Sequence, residues 1–581
     1  MSDAPAPPAR WAWLIWSPLG VVLVLIGLAL VVRPFASVGW LVALIGVGLL
    51  GIGVHELVAA CTLRSQARTA RWTSAGLGAL ALALGVLVFV WPGASIGLLV
   101  ILVAILFAAS GVRDLVLAFR RGQPQRWTNA LFGLAAIIAA VTILAWPDVT
   151  VMAMGLVFGL WLVALGVRLA ITSLVRRFRR RAPEPARRRP VVRGALAVLA
   201  FAAALVIAFV GVRLSSTAIP DAFYTPPADV PAQAGVLLAA EPFTREVPAG
   251  ASAWRILYTT TGLDDAPAVA SALVTVPDSP GPHPVIGWTH GTTGVATGCA
   301  PSLLPEPFTS GAMPDLQAAL DEGWAVVATD YIGLGTAGDH EYVVGEPAAR
   351  AELDALRAAR QLDAVDLAEE TVIWGHSQGG HAALWTAGLA PGYAPELDIV
   401  GVAAMAPAAN LPALLESFSG ESMSLLFGAF VLSGYTAAYP DVRIADYVKP
   451  SARIVVEEVA RRCLVDPATL VSVVQVGLSG GPVWSRDPGT GPLVARADEN
   501  VPRLPIAAPV LLAQGLADPL IAPAAQQEYV DERCASGQAI DYRTYPGRDH
   551  MGVVTGDSPL LPELMAWTTA RFEGAPATPN C

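Results

Sequence analysis

Histidine is scarce in this chain, with seven among 581 residues, and charged side chains make up only 14% of it. No group of histidines, cysteines and carboxylates has metal-ligand spacing, and there is no phosphate-binding glycine loop or dinucleotide fingerprint. Metal, nucleoside-triphosphate and nicotinamide chemistry are therefore not expected, and no cofactor is assigned. Cysteine is limited to five. The first apolar run, Trp11 to Val32, has no small-residue cleavage site before the next run, so it reads as a retained span, not a removed signal.

What is present in quantity is apolar sequence. The chain is 54% hydrophobic, with a mean hydropathy of +0.55. The excess lies before residue 213, in seven runs compatible with a bilayer core of roughly 30 Å, crossed by about 20 helical residues. They are Trp11 to Val32, Ser37 to Ala60, Ser74 to Val90, Ala94 to Phe119, Ala130 to Ala145, Val149 to Leu174 and Gly194 to Val212. Arg64, Arg68 and Arg71 follow the second run, Arg120, Arg121 and Arg126 the fourth, and nine arginines from Arg176 to Arg193 the sixth. Basic loops stay on the cytoplasmic side, so the N-terminus is expected inside the cell and everything after Val212 outside it. Next to a span, the arginine cluster reads as a topology determinant that can attract anionic lipid heads, not as a nucleic-acid surface.

The rest of the chain carries chemistry. The apolar run Thr371 to Trp374 leads into Gly375-His376-Ser377-Gln378-Gly379, followed by small, helix-compatible residues. A strand, a tight turn and a helix in that order lift a serine hydroxyl clear of a sheet edge and free the next N–H to bind an oxyanion. Ser377 is the candidate nucleophile. In this architecture the acid and then the histidine follow the serine. His55, His283, His290, His340 and His376 precede it, and His381 sits one turn along the same helix, which leaves His550 as the base. For the acid, the buried run Ala508 to Gln514 opens into Gly515-Leu516-Ala517-Asp518, so Asp518 is preferred. Asp549 is the alternative, disfavoured because neighbouring side chains on an extended loop point apart. Oxyanion donors are expected from the backbone of Gln378 and of Gly291 or Thr292, in the glycine-flanked loop after Pro284 to Thr289.

His290-Gly291-Thr292-Thr293-Gly294 with Cys299-Ala300-Pro301-Ser302, then Asp330-Tyr331-Ile332-Gly333-Leu334-Gly335, then the Ser377 motif resemble the secretory lipase family, of the yeast lipase A type, over roughly Ala222 to Cys581. The resemblance implies an α/β-hydrolase fold with an inserted cap and hydrolysis of carboxylic esters, often acylglycerols. It also implies pairing of Cys299 with Cys463 and of Cys534 with Cys581; by themselves four cysteines allow three pairings. The insertion falls between about Asn410 and Asn500, where Ser424 to Leu432 is apolar enough for a lid or acyl-binding wall, or for the core of a helical cap.

A repeat organises the first third. Arg33-Pro34-Phe35-Ala36-Ser37, Trp91-Pro92-Gly93-Ala94-Ser95 and Trp146-Pro147-Asp148-Val149-Thr150 recur at steps of 58 and 55 residues, as do Gly53, Gly111 and Gly166. Three helical hairpins with proline turns account for six spans. This pattern resembles the HdeD-like acid-resistance membrane proteins, a six-span family.

The sequence is thus expected to comprise a six-span domain over 1–175, a basic loop and seventh span over 176–213, a linker over 214–235, and an α/β-hydrolase domain over 236–581 with a cap at about 410–500. The expected function is a membrane-tethered, extracytoplasmic serine esterase or lipase that meets an ester or lipid substrate and a lipid bilayer. The other class weighed is a membrane stress-response or sensing module whose hydrolase fold only binds. All three members of the expected triad are present, which favours the enzyme.

Overall fold

A computed structural model describes residues 12–32, parts of 47–57, 68–90, 92–120, 125–178, 190–214 and 217–581 apart from 419–421, 451 and 480–482. The chain divides into two compact units. One is helical and formed chiefly by Met1–Ser215; the other is formed by Ser216–Val448, Val456–Val473 and Trp484–Cys581.

In the first unit the helices are Ala12–Val32, Arg68–Val90, Pro92–Phe119, Arg126–Ala145, Pro147–Phe178 and Pro190–Leu214. The span expected over Ser37 to Ala60 falls mostly outside the described residues. Two helices begin at the expected prolines, Pro92 and Pro147, and a third at Pro190; each occupies a first helical position, where the missing N–H costs nothing. Ala12–Val32 packs on Pro147–Phe178, and Pro92–Phe119 on Arg126–Ala145. Each contact is closed by a glycine pair. A Cβ at Gly27 would lie 2.7 Å from the carbonyl oxygen of Gly159, and one at Gly111 would lie 2.8 Å from that of Gly133. Gly53 and Gly78 repeat the arrangement at 2.9 Å. Small residues that let backbones approach this closely are how helices associate in lipid, where the hydrophobic effect between them is absent. Among the described residues, Val100–Phe119, Arg126–Ala145 and Val192–Leu214 are long and apolar enough to cross a membrane.

The second unit is built on a nine-stranded mixed sheet in the order β1-β2-β3-β5-β4-β6-β7-β8-β9. The strands are β1 Leu237–Phe243, β2 Ala251–Thr261, β3 Pro267–Pro277, β4 His283–Thr289, β5 Ala325–Thr329, β6 Leu367–His376, β7 Asp398–Met405, β8 Val510–Gly515 and β9 Asp541–Tyr545. The first three form an antiparallel meander, and β5 to β9 in the sheet order are parallel. Parallel strands are covered on both faces, hence the continuous apolar runs in β6 and β8. Alternate residues divide between two cores: Val285 and Ile373 face Leu353, Leu356 and Leu384, whereas Ile286, Trp288 and Trp374 face Trp324, Leu564 and Trp567. Each large side chain so buried contributes about 1.5–3 kcal/mol.

Between β7 and β8 the described residues are helical, from Leu411–Ser417 to Pro492–Glu499. Cys299 is bonded to Cys463 and Cys534 to Cys581. The first bridge closes a separation of 164 residues between the loop after β4 and the inserted helices. On a chain-entropy argument a loop of this size is worth about 5 kcal/mol. The stretch expected as a linker makes contacts within this unit. Thr217 donates its hydroxyl to Asp466 at 3.0 Å, and the Tyr224 and Ser302 hydroxyls are 2.8 Å apart.

Candidate active site

The parallel strands deliver the site residues at their carboxyl ends, where open α/β sheets bind ligands. Ser377 follows β6 directly and stands at φ 58°, ψ −118°, the left-handed region that L-residues avoid. The glycines on either side make the turn possible. A side chain at Gly375 would collide with the carbonyl of Gly379, and one at Gly379 with the carbonyl of Thr289. Thr289 also holds the turn by donating its hydroxyl to Trp374 O at 3.0 Å and Gly379 O at 2.8 Å. Ser377 N–H donates to Met405 O at 2.9 Å, so the strained residue is held from two neighbouring strands.

His550 lies in the loop after β9. Its Nε2 is 2.9 Å from Ser377 Oγ, and its Nδ1 is 2.8 Å from Asp518 Oδ2. Asp518, in the loop after β8, is buried, and its other oxygen accepts from Leu520 N–H at 2.8 Å and Ile521 N–H at 2.9 Å. Gln514 adds a donor at 3.1 Å. Burial alone would raise this carboxyl. The bond to His550, its charge and the two amides outweigh burial and hold Asp518 below the usual carboxylate range. Asp549 is occupied differently: its Oδ1 accepts Gly552 N–H at 2.6 Å in its own turn. The structure thus brings Ser377, His550 and Asp518 together and leaves Asp549 out.

Of the oxyanion-loop candidates, Gly291 already donates its N–H to Gly311 O at 2.9 Å. Thr292 is its neighbour in that loop, and the hydroxyls of Thr292 and Tyr342 are 2.7 Å apart. Gln378 is the first residue of the helix Gln378–Tyr393, where backbone N–H groups have no partner within the helix. Its side chain is fixed by donation to His340 Nε2 at 3.0 Å, while His340 Nδ1 is bonded to Ile332 O at 3.0 Å. Burial pushes His340 down to about 3, so the ring stays neutral and can accept.

Other residues take structural roles. His381 lies on that helix and bonds Asn500 O at 2.7 Å. Asp330 is fully buried, pushed up to about 6 by that burial, and ties the Cys299 loop down through Ser302 N–H at 2.9 Å and Ser271 at 2.6 Å. A cavity of about 530 Å³ includes the serine in its lining, along with Thr292, Ser310, Phe427, Leu464, Val465 and Met551. A pocket of that size, lined in part by apolar side chains and including Ser377, can seat an acyl group.

Residues 309–580 match the secretory lipase family, and residues 18–83, 76–145 and 131–209 match three copies of a short repeat of unknown function (DUF308). Lipase 6 of Candida albicans is 27% identical over 361 residues, covering 57% of this chain and 74% of its own length. Secreted triacylglycerol lipase LIP7 of Malassezia globosa is 28% identical over 381 residues, covering 61% and 79%. A Mycobacterium tuberculosis protein named Probable inactive lipase MT1628 is 28% identical over 382 residues, covering 62% and 83%. Lipase A of Candida antarctica shares the fold, with a TM-score of 0.53 at 22% identity over 62% of this chain and 87% of its own. The C-terminal part of this chain therefore matches the secretory lipase family and the N-terminal part three DUF308 repeats, and the family match and the lipase relatives support a carboxylic ester hydrolase of lipase type.

Proposed function

We propose that the protein is a membrane-tethered esterase or lipase working through Ser377, His550 and Asp518 and a covalent acyl-enzyme. The observation that carries this reading is the run of two short hydrogen bonds, 2.9 Å from Ser377 Oγ to His550 Nε2 and 2.8 Å from His550 Nδ1 to Asp518. Ser377 attacks the ester carbonyl as His550 takes its proton, and Asp518 fixes the tautomer and stabilises the imidazolium. Gln378 N–H and Thr292 N–H receive the oxyanion, because the Gly291 amide is already committed to Gly311. His550 then gives its proton to the leaving alcohol, and water releases the acid by the same route. The inserted helices at about 410–500 act as a cap, with Phe427, Leu464 and Val465 forming the acyl side of the cavity.

The full-length protein in detergent should hydrolyse nitrophenyl esters at one or more chain lengths in a rising series, and absence of turnover by folded protein across the whole series would sink the proposal. The membrane part supports tethering, with its repeats, long apolar helices and basic loops, and two disulfides in the hydrolase unit fit an oxidising exterior. The proposed topology has seven spans, a cytoplasmic N-terminus and an extracytoplasmic catalytic domain. A reporter active only outside the cytoplasm should be active when fused after Cys581 and silent when fused near Pro183. The opposite pattern would refute this topology.

A further inference from the structure

His376 takes no part in the proton transfers above, yet it adjoins Ser377 in the chain and touches His550. It precedes the nucleophile at the end of β6 and is 2% exposed. Its ring lines the cavity, its centroid is 4.8 Å from that of His550, and its Nε2 is 3.0 Å from the backbone oxygen of His550. Because a carbonyl can only accept, Nε2 carries the proton and donates it. Burial, then the neighbouring His550, pushes His376 down to about 3, so it remains a neutral imidazole. On its other side a Cβ at Gly291 would lie 3.2 Å from His376 Nδ1, which places the ring against the oxyanion-side loop.

The loop that carries His550 is tied to the acid side by Leu516 N–H to Tyr545 O at 3.0 Å and Ala517 N–H to Arg548 O at 2.9 Å. These bonds fix the distance between the His550 and Asp518 loops. They do not reach Ser377. The bond from His376 links the two segments, since its backbone is continuous with the serine and its ring donates to the histidine's own carbonyl. We propose that His376 is a positioning residue whose Nε2–H holds the backbone of His550, keeping the imidazole at hydrogen-bond distance from Ser377. The proposal rests on Ser377 being the nucleophile. Misplacement of a base by about 1 Å can cost 10²-fold in rate, so the contact has room to matter.

The test compares His376→Leu, His376→Asn and His376→Gln in the full-length protein on a nitrophenyl ester. A glutamine amide N–H can reach where Nε2–H stands, whereas asparagine is too short. Leucine and asparagine should lower kcat by about 10- to 100-fold with KM within about twofold, and glutamine should restore most of the loss. Labelling by a fluorophosphonate should slow in the same order. Wild-type kcat in His376→Leu, or a glutamine variant no faster than the asparagine one, would overturn the proposal. If His376→Leu fails to fold, the glutamine and asparagine pair decides alone, because burial and polarity are matched between them. Activity retained by Ser377→Ala would instead overturn the nucleophile assignment, and the two failures are distinguishable.

Discussion

Ser377→Ala is expected to lose ester hydrolysis almost completely, on the order of 10⁶-fold in kcat if it behaves as nucleophile removal does in other serine hydrolases. The hydroxyl is the only group removed, and its one side-chain partner is His550 at 2.9 Å. Fluorophosphonate labelling should vanish with turnover. The melting temperature should stay near wild type, because alanine at φ 58° carries the same backbone strain as serine. Ser377→Gly should be equally inactive but more stable, since glycine adopts this region freely and strain of this kind costs about 1–3 kcal/mol. Ester turnover by Ser377→Ala near the wild-type rate would remove the serine mechanism. A glycine variant less stable than the alanine one would show that the turn stores no strain.

The second large effect separates two aspartates. Asp518→Asn should lower kcat by roughly 10⁴-fold, as the equivalent change does in the well-studied serine proteases. An amide can retain the bonds from Leu520 and Ile521 through its oxygen, but it offers no charge to the imidazolium and can stabilise the wrong tautomer. The carboxyl of Asp518 is held below the usual range, so the charge that matters persists well into acid conditions. Asp549→Asn should cost less than about tenfold, because Asp549 accepts a bond from Gly552 in an exposed turn, and an asparagine oxygen can accept it too. Measured side by side, a severe loss for Asp549→Asn with a mild one for Asp518→Asn would reverse the assignment.

Both aspartates were visible in the sequence, and so was the reason to prefer one. An acid and a base that must face each other have to come from different strand ends, which Asp518 after β8 and His550 after β9 satisfy. The turn around the candidate nucleophile Ser377 was legible because it demands glycine at Gly375 and Gly379, a local requirement that leaves a local mark. His550 was legible for a different reason: with so few histidines, chain order alone eliminated the others. Less of the surrounding site could be read. His376 looked like a filler in the motif, His340 like one of several histidines ahead of the serine, and Gly291 and Thr292 stood as equals. Their hydrogen bonds run to backbone carbonyls of other segments: His550 for the first, Ile332 for the second and, for Gly291, Gly311. No side-chain pattern records where such carbonyls will lie.

The repeat in the first third shows the same division. Prolines at Pro92 and Pro147 fixed where helices begin, because a residue without N–H and with a set φ is at home only in the first turn. The recurring glycines Gly53 and Gly111 marked the repeat, but that they let helices approach closely against Gly78 and Gly133 became evident only when the helices were packed. By itself, then, the sequence determined the apolar helical runs, the strand, turn and helix around Ser377, and the order of nucleophile, acid and base. Each of these is set by forces acting within a few residues: hydrophobic periodicity, backbone sterics and the space that only glycine leaves. The tertiary structure decided that the Gly291 amide is taken by Gly311, that the Asp518 carboxylate meets the His550 imidazole and that the His376 ring donates to the His550 backbone. Those contacts join separate loops and strand ends, across 32 residues for Asp518 and His550 and 174 for His376 and His550, and only the closing of the sheet brings them within hydrogen-bond reach.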